Sequence, residues 1–412
     1  MKKIKGILSP YLGLSRVVYV IFFSRLINAM GCFVGPLMTL ILTEKIGLPS
    51  TEAGVILTVS SCLMFAPMLI GGKLADVLGR KRTIIMFDML AVITYFLCGF
   101  MEPSMTLVVM MMFASACFST ATPAHDALLA DISNAENRQV IYSMSYMGWN
   151  LGFAIGAAVA GFLYENYLNL IFIGDALTGF LSLLLILTFV KDVKIDDVQL
   201  LPQTEDHQTS SIFSVLLHRP KLLIFALLMI GVNFAYAQFN FLIPLHVANV
   251  FGADSGARYF GLMSSLNGCI VIAMTPVITI LLKKMKPIQA ISLGGFIYTL
   301  SFGILGFIET IFIFFFSIFV MTLGEIILSI NVSPYIMNQT PASHRGRMIG
   351  TLQLIMGAGY AIAPLIMGKV ISIGSISLGW IIVGITACLC SIGILGISFK
   401  GKEIQQVKSI SN

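Results

Sequence analysis

Apolar stretches of membrane length alternate with short polar breaks along the whole chain. Twelve windows carry the pattern, near residues 17–43, 52–75, 83–101, 104–130, 140–164, 168–190, 221–251, 257–283, 288–308, 310–338, 346–372 and 377–399. A helix of about 20 apolar residues crosses a bilayer, so each window predicts one transmembrane helix, here numbered spans 1–12. Strands of a membrane barrel would alternate apolar and polar residues, and windows such as Leu181–Val190 show no such alternation. The chain therefore reads as an all-α membrane protein with twelve transmembrane helices. Composition agrees, with 57% hydrophobic residues and a mean hydropathy of +0.94, values outside the range of soluble domains. Met1–Arg16 is charged but is followed by no small-residue cleavage site, so no cleaved signal peptide is expected.

Charge changes the picture through its placement rather than its sum. With the N-terminus in the cytoplasm, 21 of the 25 Lys and Arg fall on cytoplasmic segments or span ends. Lys45, Arg258 and Lys369 fall outside, and Arg25 lies within a span. This asymmetry follows the positive-inside rule and predicts a multi-pass protein of the cell membrane with both termini cytoplasmic. The net charge of +6 then needs no nucleic-acid partner. All seven cysteines lie inside predicted spans, so neither a disulfide framework nor a metal site is expected. Asn331-Val332-Ser333 matches a glycosylation acceptor but falls in mid-span, which rules it out.

A single shift superimposes the two ends of the chain. Gly152-Phe153-Ala154-Ile155 matches Gly359-Tyr360-Ala361-Ile362 at an offset of 207, and the same offset pairs Gly161 with Gly368, Arg138 with Arg345 and Gly54 with Gly261. Gly99-Phe100 with Glu102 repeats as Gly306-Phe307 with Glu309, while Pro36-Leu37 and Pro244-Leu245 match at 208. One constant shift over nearly the whole length indicates an internal duplication. The longest polar segment, Lys191–Lys221, holds five acids, Pro202 and Pro220 and reads as a linker between the repeats. The expected organisation is a six-helix half over 1–190, a cytoplasmic linker over 191–220, a second half over 221–400 and a tail over 401–412.

One break is unlike the others. Gly72-Lys73-Leu74-Ala75-Asp76-Val77-Leu78-Gly79-Arg80-Lys81 sets two glycines, an acid and a basic pair at fixed offsets between spans 2 and 3. This stretch resembles the loop signature G-x-L-A-D-x-x-G-R-K of the major facilitator superfamily. The resemblance implies the major facilitator fold, two pseudo-symmetric six-helix bundles related by an axis along the membrane normal. It also implies a conformational latch at Gly72, Asp76, Gly79, Arg80 and Lys81. In that family the acid faces the start of helix 11 and the arginine pairs with an acid ending helix 4. Asp131 occupies that place, followed by Ser133-Asn134-Ala135-Glu136-Asn137-Arg138. The second repeat has no such knot, since Asp76 stands opposite Lys283.

Ionisable residues inside the spans are few: Arg25, Asp88, His125, Asp126, Asp175, His246 and Glu325. Charges at membrane depth are costly and mark pathways or relays. Glu325 lies deepest, 15 residues from the start of span 10 at 310. It is the leading candidate for proton coupling, against a structural hydrogen bond to a neighbouring helix. Arg25 cannot neutralise itself and needs an acid partner, for which Asp126 is the first choice. His125-Asp126 reads equally as a relay or as a buried satisfied pair. Asp88 and Asp175 sit about one and a half to two turns inside their spans and are further coupling candidates. His246, near the end of span 7, reads as interfacial.

Span 5 carries Gly148, Gly152, Gly156 and Gly161 on one face, which permits close helix approach. The face resembles the antiporter signature of the drug-exporting branch, with Ala157 in place of its proline and Ala160 in place of one glycine. Asp131–Arg138, Thr322-Leu323-Gly324-Glu325-Ile326 and Gln238-Phe239-Asn240 resemble multidrug antiporters of Gram-positive bacteria. These resemblances imply a secondary transporter that exports amphipathic small molecules by proton antiport. It would act as a monomer in the lipid bilayer, with no cofactor beyond the proton gradient. A carrier of a metabolite, sugar or glycolipid is the alternative. The chain has no G-x-x-x-x-G-K-[S/T] for ATP, no H-E-x-x-H and no G-x-S-x-G, so an enzyme is not expected.

Overall fold

A computed structural model describes residues 13–134, 137–190, 219–340 and 345–410. Among these residues the chain is helical, with no strand. The helices are α1 (Arg16–Met30), α2 (Val34–Leu40), α3 (Ser50–Leu78), α4 (Arg80–Cys98), α5 (Met105–Asp131), α6 (Arg138–Leu163) and α7 (Leu168–Phe189). After the linker come α8 (Pro220–Ala237), α9 (Leu242–Phe251), α10 (Ala253–Leu282), α11 (Pro287–Ile304), α12 (Ile311–Asn338), α13 (Arg345–Ile373) and α14 (Ile376–Ile410). A π turn, Ile41–Lys45, extends α2.

Eleven spans among the described residues are long and apolar enough to cross a membrane, with α1 and α2 joined as one and α8 and α9 as another. The twelfth helix of the expected pattern is α4, whose 19 residues include Arg80, Lys81, Arg82 and Asp88 and so carry too much charge to count with the eleven. The apolar pattern ends span 12 at 399, but α14 continues to Ile410. Of the predicted linker, residues 191–218 lie outside the described residues, as do Ala135 and Glu136 of the loop after span 4.

The chain divides into two compact units. Among the described residues, unit 1 takes those up to 48, from 59 to 190 and from 247 to 269, and unit 2 takes those from 49 to 58, from 219 to 246 and from 270 on. Within unit 1, α1 packs on α6 and α7, and α4 packs on α5 and α7. Within unit 2, α8 packs on α13 and α14, and α11 on α12 and α14, the same set of partners one repeat later. In a bilayer, such contacts rest on close packing and interhelical hydrogen bonds rather than on hydrophobic burial. Ser24 Oγ lies 2.8 Å from Ser182 Oγ between α1 and α7, and Ser301 Oγ lies 3.1 Å from Ser317 Oγ between α11 and α12.

The first span of each repeat is broken at the same point. α1 ends at Met30 and α8 at Ala237, 207 residues later. Gly31–Phe33 and Gln238–Phe241 are the connecting turns. A break frees backbone donors that must find partners within protein. In unit 1, Asp175 Oδ2 accepts from Val34 N at 3.4 Å. In unit 2 the residue 207 positions after Asp175 is Ile382, so the second break has no acid at that position.

Close-approach glycines follow the repeat too. A methyl on Gly161 of α6 would lie 2.8 Å from the Ala257 carbonyl of α10, and one on Gly261 would overlap the Ala157 carbonyl. Their counterparts behave alike: Gly54 of α3 abuts the Pro364 carbonyl of α13, and Gly368 abuts the Ser50 carbonyl.

Candidate functional site: two polar cavities and a charged loop

Each unit encloses a polar cavity at an equivalent place. That of unit 1 has a volume of about 400 Å³ and lies among α1, α4, α5 and α7. That of unit 2 has a volume of about 390 Å³ and lies among α8, α11, α12 and α13. Glu325 lines the second, and its counterpart 207 residues earlier, Phe118, lines the first. The duplication has kept the cavities and exchanged their chemistry.

In unit 1 the cavity is built around charge. Pro123 precedes His125 and Asp126 on α5, and successive helical positions point about 100° apart, so the two side chains reach different neighbours. Arg25 of α1 binds Asp126 Oδ1 at 2.8 Å, with side-chain exposures of 24% and 65%. His125 Nε2 meets Asp88 Oδ2 of α4 at 2.8 Å. Asp88 is buried, and among the described residues its Oδ1 has no hydrogen-bond partner. Asp175 lies on the same wall while capping the break before α2.

In unit 2 the cavity holds one carboxylate among aromatic rings. Tyr236 of α8, Tyr298 of α11 and Tyr360 of α13 line it with Glu325 of α12. Tyr236 hydrogen-bonds to Glu325. The Tyr236 ring stacks on Tyr298 at 5.7 Å and meets Tyr360 edge-on at 5.6 Å. Aromatic faces attract cations and strengthen a nearby carboxylate's hold on one. This cage could not be read along the chain, because three tyrosines on three helices look like bulk. Their shared signal is only that each sits near the middle of its apolar window.

At the loop, Gly79 adopts φ +91°, which turns the chain between α3 and α4 and would strain any other residue. Arg80 Nε lies 3.1 Å from Asp131 Oδ2, with exposures of 19% and 18%; the contact is an ion pair without hydrogen-bond alignment. Asp76 lies 4.0 Å from Arg80 and is 76% exposed. Lys81 Nζ donates to the carbonyls of Leu187 at 3.0 Å and Val190 at 2.6 Å, closing the negative end of α7. Arg138 Nε donates to Ser133 Oγ at 3.2 Å. Gly72 faces open space apart from Pro123, whose Cβ would lie 4.0 Å from an added methyl.

The span 5 glycines divide between two neighbours. Gly148, Gly152 and Gly156 lie against α1, at Phe22, Leu26 and Met30, while Gly161 lies against α10.

His246, expected near the end of its span, lies within the protein beside Glu309 of the loop between α11 and α12. Its side chain is 1% exposed, with Nδ1 accepting from Trp380 Nε1 at 2.9 Å and Nε2 lying 3.3 Å from Glu309 Oε1. On α9, His246 thereby faces Trp380 of α14. Among the described residues, no group of three or more His, Cys, Asp or Glu could hold a metal ion, and the cysteines are free.

Comparison with known proteins gives a consistent family. The sequence pattern of the Major Facilitator Superfamily matches residues 21–341. An uncharacterized MFS-type transporter of Bacillus subtilis, YqjV, is 23% identical over 94% of this chain and 92% of its own length. A Na(+), Li(+), K(+)/H(+) antiporter of Planococcus maritimus is 23% identical over 82% of this chain and 85% of its own. The class H tetracycline resistance protein of Pasteurella multocida is 26% identical over 48% of this chain and 50% of its own. Among solved structures, a peptide transporter POT in complex with sulfate superposes with a TM-score of 0.75 at 16% identity, covering 95% of this chain and 96% of its own. At that identity the likeness speaks to fold.

Proposed function

The chain belongs to the Major Facilitator Superfamily, and on that premise we propose that this multi-pass membrane transporter exports amphipathic small molecules in exchange for protons. The observation that carries the reading is the carboxylate of Glu325 inside an aromatic cage of about 390 Å³. A carboxylate at membrane depth is costly to leave bare. It holds a proton or faces a cationic substrate, and occupation by one displaces the other. Mutual exclusion at one group is sufficient for antiport. The three tyrosines supply apolar area and π faces for a substrate with a charged end and a greasy body. The antiporter and tetracycline resistance relatives favour exchange and efflux over uptake.

In this reading, residues 1–190 and 221–400 act as two six-helix halves that alternately open the cavities to either side of the cell membrane, joined by the 191–220 linker. Both termini and the Gly72–Lys81 loop face the cytoplasm, as the basic residues indicate. Asp76, Arg80, Asp131 and Arg138 hold one state of the cycle as a latch. The protein works as a monomer with the proton gradient as its energy source.

Efflux of a fluorescent amphipathic cation from a host lacking its own pumps tests this. Cells making the protein should lose dye faster than controls, and an uncoupler should abolish the difference. Efflux that persists in the uncoupler would refute proton exchange. No efflux of any amphipathic cation, with uptake of a radiolabelled metabolite or sugar instead, would establish the alternative carrier.

A further inference from the structure

One seam within unit 1 carries charge that its packing does not require. It joins the ends of α2 and α6 to the first turns of α10, which belong by sequence to the second repeat but pack with the first. Arg258 of α10 meets Glu165, just past α6, at 2.9 Å, with side-chain exposures of 43% and 39%. Lys45 ends the π turn after α2; its Nζ lies 3.6 Å from Asp254 Oδ1 and donates to the Glu165 carbonyl at 3.3 Å. It also sits over the Tyr164 ring, 4.5 Å from the centroid, and the Tyr164 hydroxyl donates to the Leu40 carbonyl at 2.9 Å. A π turn holds more residues than an α turn, so it resets the direction in which Lys45 points.

The duplication separates packing from charge. The counterparts of Lys45, Glu165, Asp254 and Arg258 at the 207-residue offset are Gly252, Ser372, Gly47 and Thr51, none of them charged. Both seams keep their close-approach glycines, Gly161 and Gly261 in one, Gly54 and Gly368 in the other. Close packing is therefore achieved without these charges in one seam, and the other has added them. Ion pairs this exposed are weak, each shifting an equilibrium by about two- to fivefold. That is too little to hold a fold together, but it is enough to bias two states that interconvert in every cycle.

We propose that Lys45, Glu165, Asp254 and Arg258 form a clasp at the outer face that favours the state closed to the outside and releases when that face opens. The outer placement follows from the positive-inside rule, which puts Lys45 and Arg258 outside. The clasp rests on the two-state cycle of the proposed function, but not on its substrate or on protons.

The repeat supplies matched reporter positions. Phe100 and Phe307 lie at the offset of 207, in the turns after α4 and α11, and are 71% and 77% exposed. Replacing both with p-acetylphenylalanine and attaching hydroxylamine nitroxides leaves the native cysteines in place. Pulsed double electron–electron resonance in nanodiscs then reads the distance between them. The ratio of longer to shorter distances should rise about two- to fivefold in Arg258→Gln, and further when Lys45→Met is added. Exchanging the charges, Glu165→Arg with Arg258→Glu, should reverse at least half of the rise seen in Arg258→Gln, which a loss of packing alone would not allow. Raising salt from about 0.05 to about 0.5 M should also raise the ratio in the parent by screening, with less than half that effect in the Arg258→Gln, Lys45→Met protein. The salt response of the parent needs no substitution in the seam, so the test stands even if a variant misfolds. A ratio unmoved by the substitutions would overturn the proposal, as would a parent indifferent to salt or an exchange that reverses nothing. The measurement involves neither substrate nor gradient, so its failure is distinct from failure of the antiport reading.

Discussion

His246→Ala is expected to be among the most damaging single substitutions outside the two cavities. The side chain is 1% exposed, and its Nδ1 accepts from the indole N–H of Trp380 at 2.9 Å. Trp380 is itself fully buried and stacks on Phe302 at 5.7 Å, so its N–H cannot turn to another partner without losing that packing. Leaving the donor orphaned costs about 1–3 kcal/mol. The void left by the imidazole, which also meets Phe314 at 4.9 Å, adds about 1–2 kcal/mol, at the low end for large-to-small changes. The expected total is about 2–5 kcal/mol. His246→Asn places an oxygen near the Nδ1 position and should recover more than half of it. Glu309→Gln, at a side chain 57% exposed, should cost less than about 1 kcal/mol. Reversible unfolding in mixed detergent micelles gives these values, and the cycle of His246→Ala with Trp380→Phe should show a coupling of about 1–2 kcal/mol. A cost for His246→Ala below about 0.5 kcal/mol, the level of an ordinary surface change, would refute the reasoning.

Three further outcomes follow from the same geometry. Asp126→Asn leaves the Arg25 guanidinium unpaired at 24% exposure; the cost should be about 1–2 kcal/mol, reduced from the buried-pair range by the exposure of Asp126. Adding Arg25→Gln should restore more than half of that stability, and strictly additive losses in micelle unfolding would contradict the pairing. Asp131→Asn should cost about 1–3 kcal/mol in the same assay by leaving Arg80, whose side chain is 19% exposed, with only the exposed Asp76 at 4.0 Å; a cost below about 0.5 kcal/mol would contradict the pairing. Gly261→Val would drive a side chain into the Ala157 carbonyl and part α6 from α10. Cysteines in place of Glu165 and Arg258, whose long side chains meet at 2.9 Å, should then be joined in lower yield by a short bifunctional thiol cross-linker; an unchanged yield would show that the helices tolerate the bulk.

What could be read along the chain was whatever one helix states by itself. Continuous apolar windows marked the spans, and the 207-residue offset located the repeat that the helix pairings of α1 with α6 and α8 with α13 also display. Arg25 demanded an acid because a guanidinium stays charged, and Asp126 lies 2.8 Å from it. Contacts chosen by tertiary packing were not legible. His125 turns from its neighbour Asp126 to Asp88, 37 residues away. The breaks after Met30 and Ala237 fall in windows that stay apolar overall; Asn28 and Gly31 in the first, and Gln238 and Asn240 in the second, are polar or small but do not by themselves end a helix. The tyrosines around Glu325 come from three helices distant in sequence, and each alone is indistinguishable from lipid-facing bulk.

Transport against an imposed pH gradient in proteoliposomes tests the central claim most directly, comparing the parent protein with Glu325→Gln. Glutamine keeps the size and hydrogen bonding of the side chain but cannot cycle between charged and protonated forms. The parent should concentrate a fluorescent amphipathic cation on the side from which protons leave. Glu325→Gln should still exchange substrate for substrate while failing to concentrate it, because nothing in the unit 2 cavity then links occupancy to protonation. Accumulation by Glu325→Gln equal to that of the parent would contradict the account and make Glu325 a structural residue.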